Sequence, residues 1–379
     1  MFWYWLFTGP ALLLAALSLR GERQRAAYFT RRLAERPTCL PPASVIVPVK
    51  GADEGLRENL AALASLDYPD YELIVVARAA GDIPPGVLPD RVKVVLAHAA
   101  EDPATAERVQ NQVAAVRATR KRSEIFAFAG AGARVAPGWL RALAAPLAED
   151  GVGASTGFRW FTPQPADFWS LMRGVCDAVA FGMLGPGNNR FVCGGSMAIR
   201  KETFFQARVF EHWTNALTGD YTLAAAVRGA GLRIAFAPGA LAASSERAGA
   251  RRFFAWARRR TALTRLYDRR LWLAALLAHG LYCGGMAASI VASIQGSRLA
   301  PWALLAQMLP GMWKGRNRAA LARTALPERE AWFRRHAWAH AVYAPAATWL
   351  WLMALVSPLF GRTIERRGRR YSLRARADR

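Results

Sequence analysis

Apolar residues along this chain fall into two kinds of block. In the first kind they form short runs bounded by polar or turn residues. Ala43–Pro48 is a brief apolar run closed by Pro48, and Tyr71–Ala77, residues 92–96 and Ile125–Ala129 repeat the pattern. Runs of this length and composition predict buried strands. Between them, Leu56, Leu60, Leu63 and Leu66 recur at helical spacing, and residues 105–120 predict a second helix. Strand and helix alternating in this order predict an α/β fold with a doubly wound, mostly parallel sheet. Ligands of such sheets bind beyond the carboxyl ends of the strands, so candidate chemistry should lie just after each strand.

The second kind of block is longer and sits outside this region. Residues 2–19 contain no charged side chain, and a helix of that length would reach about 27 Å, close to the hydrocarbon thickness of a bilayer. No basic stretch precedes the block and no small-residue cleavage site follows it, so it reads as a membrane anchor rather than a removable signal. Arg20, Arg23, Arg25, Arg31 and Arg32 follow it, which by the positive-inside rule puts the bulk of the chain in the cytosol. Further apolar blocks run over residues 271–294, 299–313 and 337–360, separated and followed by basic stretches. Both basic stretches favour the cytosolic side. Three simple crossings cannot satisfy that, so one of these blocks is expected to be re-entrant or to lie in the interface.

Charge sharpens this picture. Of 379 residues, 51 are Lys or Arg and 27 are Asp or Glu, a net charge of +24 with 14 tryptophans. Such a field favours anionic partners: nucleic acid, phosphorylated small molecules or an anionic leaflet. The basic residues flank the apolar blocks and no nucleic-acid recognition motif is present, so nucleic acid is not expected as a partner. Four cysteines are scattered without metal-ligand spacing, and only His336 and His340 among five histidines are paired. That pair, in a Trp-rich stretch, reads as part of an interfacial helix rather than a metal site.

Several segments then match one family in order and spacing. Pro48-Val-Lys-Gly-Ala-Asp53, Asn59-Leu60, Leu66-Asp-Tyr-Pro69 and Tyr71-Glu72 resemble the opening of ceramide glucosyltransferases and bacterial hopanoid and lipid glycosyltransferases. These belong to the inverting family-2 glycosyltransferases. Ala133-Arg-Val-Ala-Pro137 resembles the segment after that family's metal-binding motif, Gly194-Gly-Ser-Met-Ala-Ile-Arg-Lys201 its acceptor-side loop, and Gly219-Asp-Tyr221 its catalytic-base motif. Ile364-Glu-Arg-Arg-Gly368 and Tyr371-Ser-Leu373 resemble its closing segment.

The resemblance implies a GT-A-like nucleotide-sugar fold with flanking transmembrane helices. It divides the chain into an anchor (1–19), a basic linker (20–40), a glycosyltransferase domain (41–250), a basic interfacial helix (251–270), a membrane region (271–360) and a basic cytosolic tail (361–379). It also implies a multi-pass membrane enzyme that carries a sugar from a nucleoside diphosphate sugar, with UDP-sugars favoured, to a membrane lipid. Asp220 would be the catalytic base; a helix N-cap is its structural alternative. Pro48, Lys50, Asp53, Asp82, Gly130, Gly132, Arg134, Arg252, Trp256 and Arg259 would surround the donor, and Gly194, Gly195 and Ser196 the acceptor.

The chain departs from the family where the metal belongs. Mg²⁺ or Mn²⁺ is expected from the resemblance, but Gly130 and Gly132 stand where carboxylates are expected, and glycine offers no side-chain ligand. After the second strand the chain reads Arg78-Ala-Ala-Gly-Asp82, so only Asp82 could replace an acidic cluster; an ordinary turn residue is the competing reading. The family's closing motif is matched by Arg252-Phe-Phe-Ala-Trp256, with Ala255 where arginine is expected. Two readings follow. Arg252, Arg258, Arg259 and Arg134 could neutralise the diphosphate without metal, aided by backbone N–H groups of the Gly-Ala-Gly turn. Alternatively the fold survives as an inactive scaffold or regulatory subunit of another membrane enzyme.

Overall fold

The computed structural model describes residues 2–35, 37, 39–98, 104–361, 363–366 and 369–372. Its centre is an eight-stranded mixed sheet in the order β3-β2-β1-β4-β7-β6-β8-β5. The strands are β1 (Ala43–Pro48), β2 (Tyr71–Ala77), β3 (Lys93–Leu96), β4 (Ile125–Ala129), β5 (Arg134–Val135), β6 (Val152–Phe161), β7 (Ser196–Arg200) and β8 (Arg233–Ser244). The pairs β3-β2, β2-β1, β1-β4 and β6-β8 are parallel, while β7 runs antiparallel to both its neighbours.

Side-chain alternation explains why the central strands are apolar on both faces. In β1, Ala43, Val45 and Val47 enter a core shared with the helices Leu56–Ala64 and Trp139–Ala144. Ile46 points the other way, into a core formed with Glu107–Arg117 and Gly219–Gly229. Helices therefore cover both faces of the sheet, and the expected strands at the start of the chain are present with bounds shifted by no more than one residue.

Around this sheet lies a helical bundle. Phe2–Leu17 packs on Arg269–Ile294, which also contacts Ala300–Ala325 and Ala344–Val356. Buried Gln307 donates to Ser289 Oγ at 3.0 Å, tying two of these helices together. Arg269–Ile294 is the described helix that is long and apolar enough to cross a membrane. The outer surface of the bundle is apolar: Leu277, Ile294 and Trp302 are 66%, 81% and 71% exposed.

Two expectations about the bundle change. Residues 299–313 are not a separate short segment but the first half of a continuous helix, Ala300–Ala325, which carries Pro310 and runs on through Lys314 and Arg318. Residues 337–360 are broken into Ala339–Val342, Ala344–Val356 and a 3-10 turn, Ser357–Leu359. His340 is buried and stacks on Trp160 at 4.8 Å, which accounts for it as a packing residue. After the bundle the chain returns to the sheet as a hairpin, β9 (Thr363–Arg366) and β10 (Arg369–Ser372), whose Ile364 and Tyr371 are buried in the second core.

Candidate active site

A cleft of about 720 Å³ opens at the carboxyl ends of β1 and β4, where a parallel sheet places its ligands. From the first half of the chain it is lined by Pro48, Lys50, Asp53, Glu54, Gly130 and Gly132. The first turns of Glu107–Arg117 contribute Glu107, Arg108 and Asn111. The far side holds Arg159, Arg173, Glu246, Arg252, Trp256 and Arg259, and Tyr371 arrives from the closing hairpin. The sheet edge thus gathers eight of the expected donor-side residues in one cavity.

The glycine turn after β4 is held by its surroundings. Asn59 Nδ2 donates to the Ala131 carbonyl at 2.8 Å, and Ser244 Oγ donates to the Gly132 carbonyl at 2.7 Å. Gly130 N–H donates to the Gly195 carbonyl at 2.9 Å, so it is not available to a phosphate as the sequence led us to expect. A Cβ on Gly130 would lie 3.3 Å from Gly195 Cα, so close backbone approach explains glycine there. Gly132 is different: its Cβ would meet nothing nearer than Asp53 Oδ2 at 3.8 Å. A side chain would fit at Gly132, and the chain supplies none.

On the opposite wall, Arg173 has a side chain only 4% exposed, and its Nη1 lies 3.2 Å from Glu246 Oε1. Arg159 reaches Glu246 Oε2 at 3.7 Å. Both guanidinium groups sit over the Phe161 ring, at 4.1 and 4.6 Å from its centre. Burial pushes the Glu246 carboxyl up, but Arg159, Arg173 and Arg259 outweigh burial and hold it below the ordinary carboxylate range. Burial pulls the Arg173 guanidinium down, with Glu246 opposing.

Asp220 does not line the cleft; it lies behind it. Its Oδ2 is turned toward Gly194, 3.0 Å from where a Cβ would stand, and the Gly194 carbonyl accepts from Arg108 of the cleft wall. Asp220 Oδ1 accepts from the Thr218 hydroxyl and from Tyr221 N–H at 2.9 Å. The helix N-cap is Thr218, so Asp220 stands within the first turn and not at the cap. Beside it, Arg260 pairs with buried Asp177 at 3.0 Å. Burial lowers the Arg260 guanidinium, but Asp177, Tyr221, Cys193 and Asp220 together raise it.

Other expected residues lie elsewhere. Asp82 accepts from Ala79 N–H at 3.3 Å and its carbonyl accepts from Gly51 N–H at 2.7 Å, so it closes its own turn and braces the loop carrying Lys50. Arg134 pairs with β8 on the exposed end of β5, outside the cleft lining. Arg258 lies against Gly361. Ser196 is fully buried, donating to the Ala240 carbonyl at 2.7 Å and accepting from Trp139 Nε1 at 2.8 Å.

The residues present do not fit a divalent ion. Among the described residues no three His, Cys, Asp or Glu side chains converge. Three of the cleft's carboxylates are drawn to cations instead: Glu107 Oε2 to Lys50 at 2.7 Å and Arg78 at 4.0 Å, Glu246 to two arginines, and Glu54 to Arg247 at 4.0 Å. A hard cation needs several oxygens aimed at one point.

The fold is similar to a mannosyltransferase from Pyrobaculum calidifontis solved with GDP-Man and Mn²⁺, at 19% identity over 93% of this chain and 98% of that one, TM-score 0.48. It is also similar to glucosyl-3-phosphoglycerate synthase from Mycobacterium tuberculosis solved with Mn²⁺, UDP and glucosyl-3-phosphoglycerate, at 14% identity over 56% and 79%, TM-score 0.32. No curated protein matches the chain. The model of glycosyl transferase family 21 matches residues 4–378, and the chain belongs to that family of nucleotide-sugar-dependent, ceramide glucosyltransferase-like hexosyltransferases.

Proposed function

We propose that the protein transfers a hexose, with inversion, from a nucleoside diphosphate sugar to a hydroxyl of a membrane lipid. The observation that carries this reading is the placement of a cation-rich cleft at the sheet's carboxyl edge, next to a helical bundle whose outer surface is apolar. A UDP-sugar is the favoured donor. Its diphosphate faces the cationic far side of the cleft, Arg159, Arg173, Arg252 and Arg259, while the nucleoside lies toward β1, Glu107 and Asn111.

Asp220 is the base. Thr218 and Tyr221 hold Oδ1 and fix the carboxylate, leaving Oδ2 toward Gly194. The acceptor hydroxyl gives its proton to Oδ2 as its oxygen attacks the anomeric carbon, and the bond to the diphosphate breaks on the opposite face. Glycine at position 194 is what lets the chain pass this close to the carboxylate, since a Cβ there would stand 3.0 Å from Oδ2. The lipid enters beside Phe168–Phe181, where Phe168 and Met183 are exposed.

Exposed apolar side chains on Phe2–Leu17 and Arg269–Ile294 support a multi-pass integral protein whose catalytic domain faces the cytosol. The basic helix Ala250–Tyr267 then lies at the headgroups, with its arginines toward lipid phosphate. The test is transfer of labelled sugar from UDP-sugars to a membrane lipid extract by the detergent-purified protein. A labelled, organic-soluble product is expected. Label released only as free sugar, or transferred only to water-soluble acceptors, would overturn the lipid reading.

A further inference from the structure

Charge on the two sides of the cleft is unequal. Among its described lining residues, Lys50 and five arginines stand against four carboxylates, a surplus of two positive charges. A divalent cation would bring that same charge to a diphosphate. Three of the four carboxylates, Glu107, Glu246 and Glu54, are divided among separate cations, and the glycine turn adds no ligand.

Half of that surplus sits in the cluster of Arg159, Arg173 and Glu246. Two guanidinium groups share one carboxylate and one aromatic face, so a positive charge remains unpaired within the cluster. The Nε of Arg173 is buried with no hydrogen-bond partner. Burying cations with incomplete pairing is costly unless a further anion completes the set. Glu246 also binds Arg173 through its backbone carbonyl, so residue and backbone together aim the guanidinium. Guanidinium is suited to this work because it stays charged and grips phosphate oxygens in pairs.

We infer that this chain neutralises the leaving diphosphate with an arginine wall, Arg159 and Arg173 oriented by Glu246 and Phe161, in place of a divalent ion. The inference rests on the donor site proposed above and assigns its ligand chemistry. Glu246 positions the wall and does not touch the reacting atoms. The diphosphate oxygens take the guanidinium N–H groups that Glu246 leaves, and the charge that develops on the leaving group meets fixed donors.

Calorimetry on the full-length protein in detergent, with UDP and GDP in EDTA and then in Mn²⁺, tests the assignment. Affinity is expected to stay within about twofold between the two buffers. Arg159→Gln, at a partly exposed position, should weaken UDP binding roughly tenfold while leaving uridine binding unchanged. Arg173→Lys, which keeps the charge but loses the paired geometry, should fall between. Tightening of tenfold or more on adding Mn²⁺ overturns the inference but leaves the donor site standing. UDP binding in EDTA that ignores Arg159→Gln overturns the residue assignment. If neither nucleotide binds in either buffer, the donor site fails and the inference with it.

Discussion

Two walls of one cleft are built on opposite plans. The wall after β4 has almost no side chains: Gly130 and Gly132 present backbone, pinned by Asn59, Ser244 and Gly195. The wall from β6 and Phe168–Phe181 is crowded with long cations, stacked on Phe161 and tethered to Glu246. The difference teaches that vacant space and charge can be supplied by different elements of a fold. A site that lacks carboxylates on one side need not lack the means to hold a phosphate, provided the other side has guanidinium groups fixed before the ligand arrives.

The comparison can be broken at several places. The largest effect is expected away from both walls: Asp220→Asn should lower transfer by about 10²–10⁴-fold while nucleotide affinity stays within about twofold, measured by labelled transfer and calorimetry on the same preparation. Unchanged turnover would take Asp220 out of the chemistry. Next, Arg173→Met removes a buried charged hydrogen bond and a ring contact from the arginine wall, and should cost about 2 kcal/mol of stability in urea unfolding. No measurable loss would mean that the wall is not fixed in advance.

On the glycine wall, Gly132→Asp introduces a carboxylate where space exists, near Asp53. It should weaken metal-free UDP binding about tenfold and make binding respond to Mn²⁺. A variant indifferent to Mn²⁺ would show that the turn no longer has ligand geometry. The smallest effect concerns acid. Glu246 is held below the ordinary carboxylate range, so its pairing stabilises the fold above that range and is lost as pH falls through its folded value. The stability gap between wild type and Glu246→Gln should therefore narrow below about pH 4.5. A constant gap would mean the ion pairs contribute nothing.

Much of the sheet was legible because central parallel strands are apolar on both faces, so β1, β2 and β4 stand out as runs. Pro48, Lys50, Asp53, Gly130 and Gly132 could be named from their position after those strands, since topology alone brings strand ends together. Arg159, Arg173 and Glu246 were missed because each lies far along the chain from these loops. A signal was nevertheless present: Arg173 and Asp177 are the charges in an otherwise apolar helix, and Arg159 interrupts the apolar run of β6. Buried charges in such settings have partners or functions. Arg134 and Arg258 were named because they are near the right segments, yet strand alternation and helix rotation point them elsewhere. The long helix Ala300–Ala325 was divided at Lys314 because hydropathy changes there, although Ala, Leu, Arg and Met continue to favour helix throughout.

Tyr371 closes the cleft from a hairpin that follows the whole bundle in the sequence. During synthesis the nucleotide pocket therefore stays open on one side until the intervening helices have been translated and the last strand has folded back. A chain that has reached only the end of the bundle would hold a finished sheet and a cleft still missing its last wall, so the cleft is completed by nearly the last residues to be made.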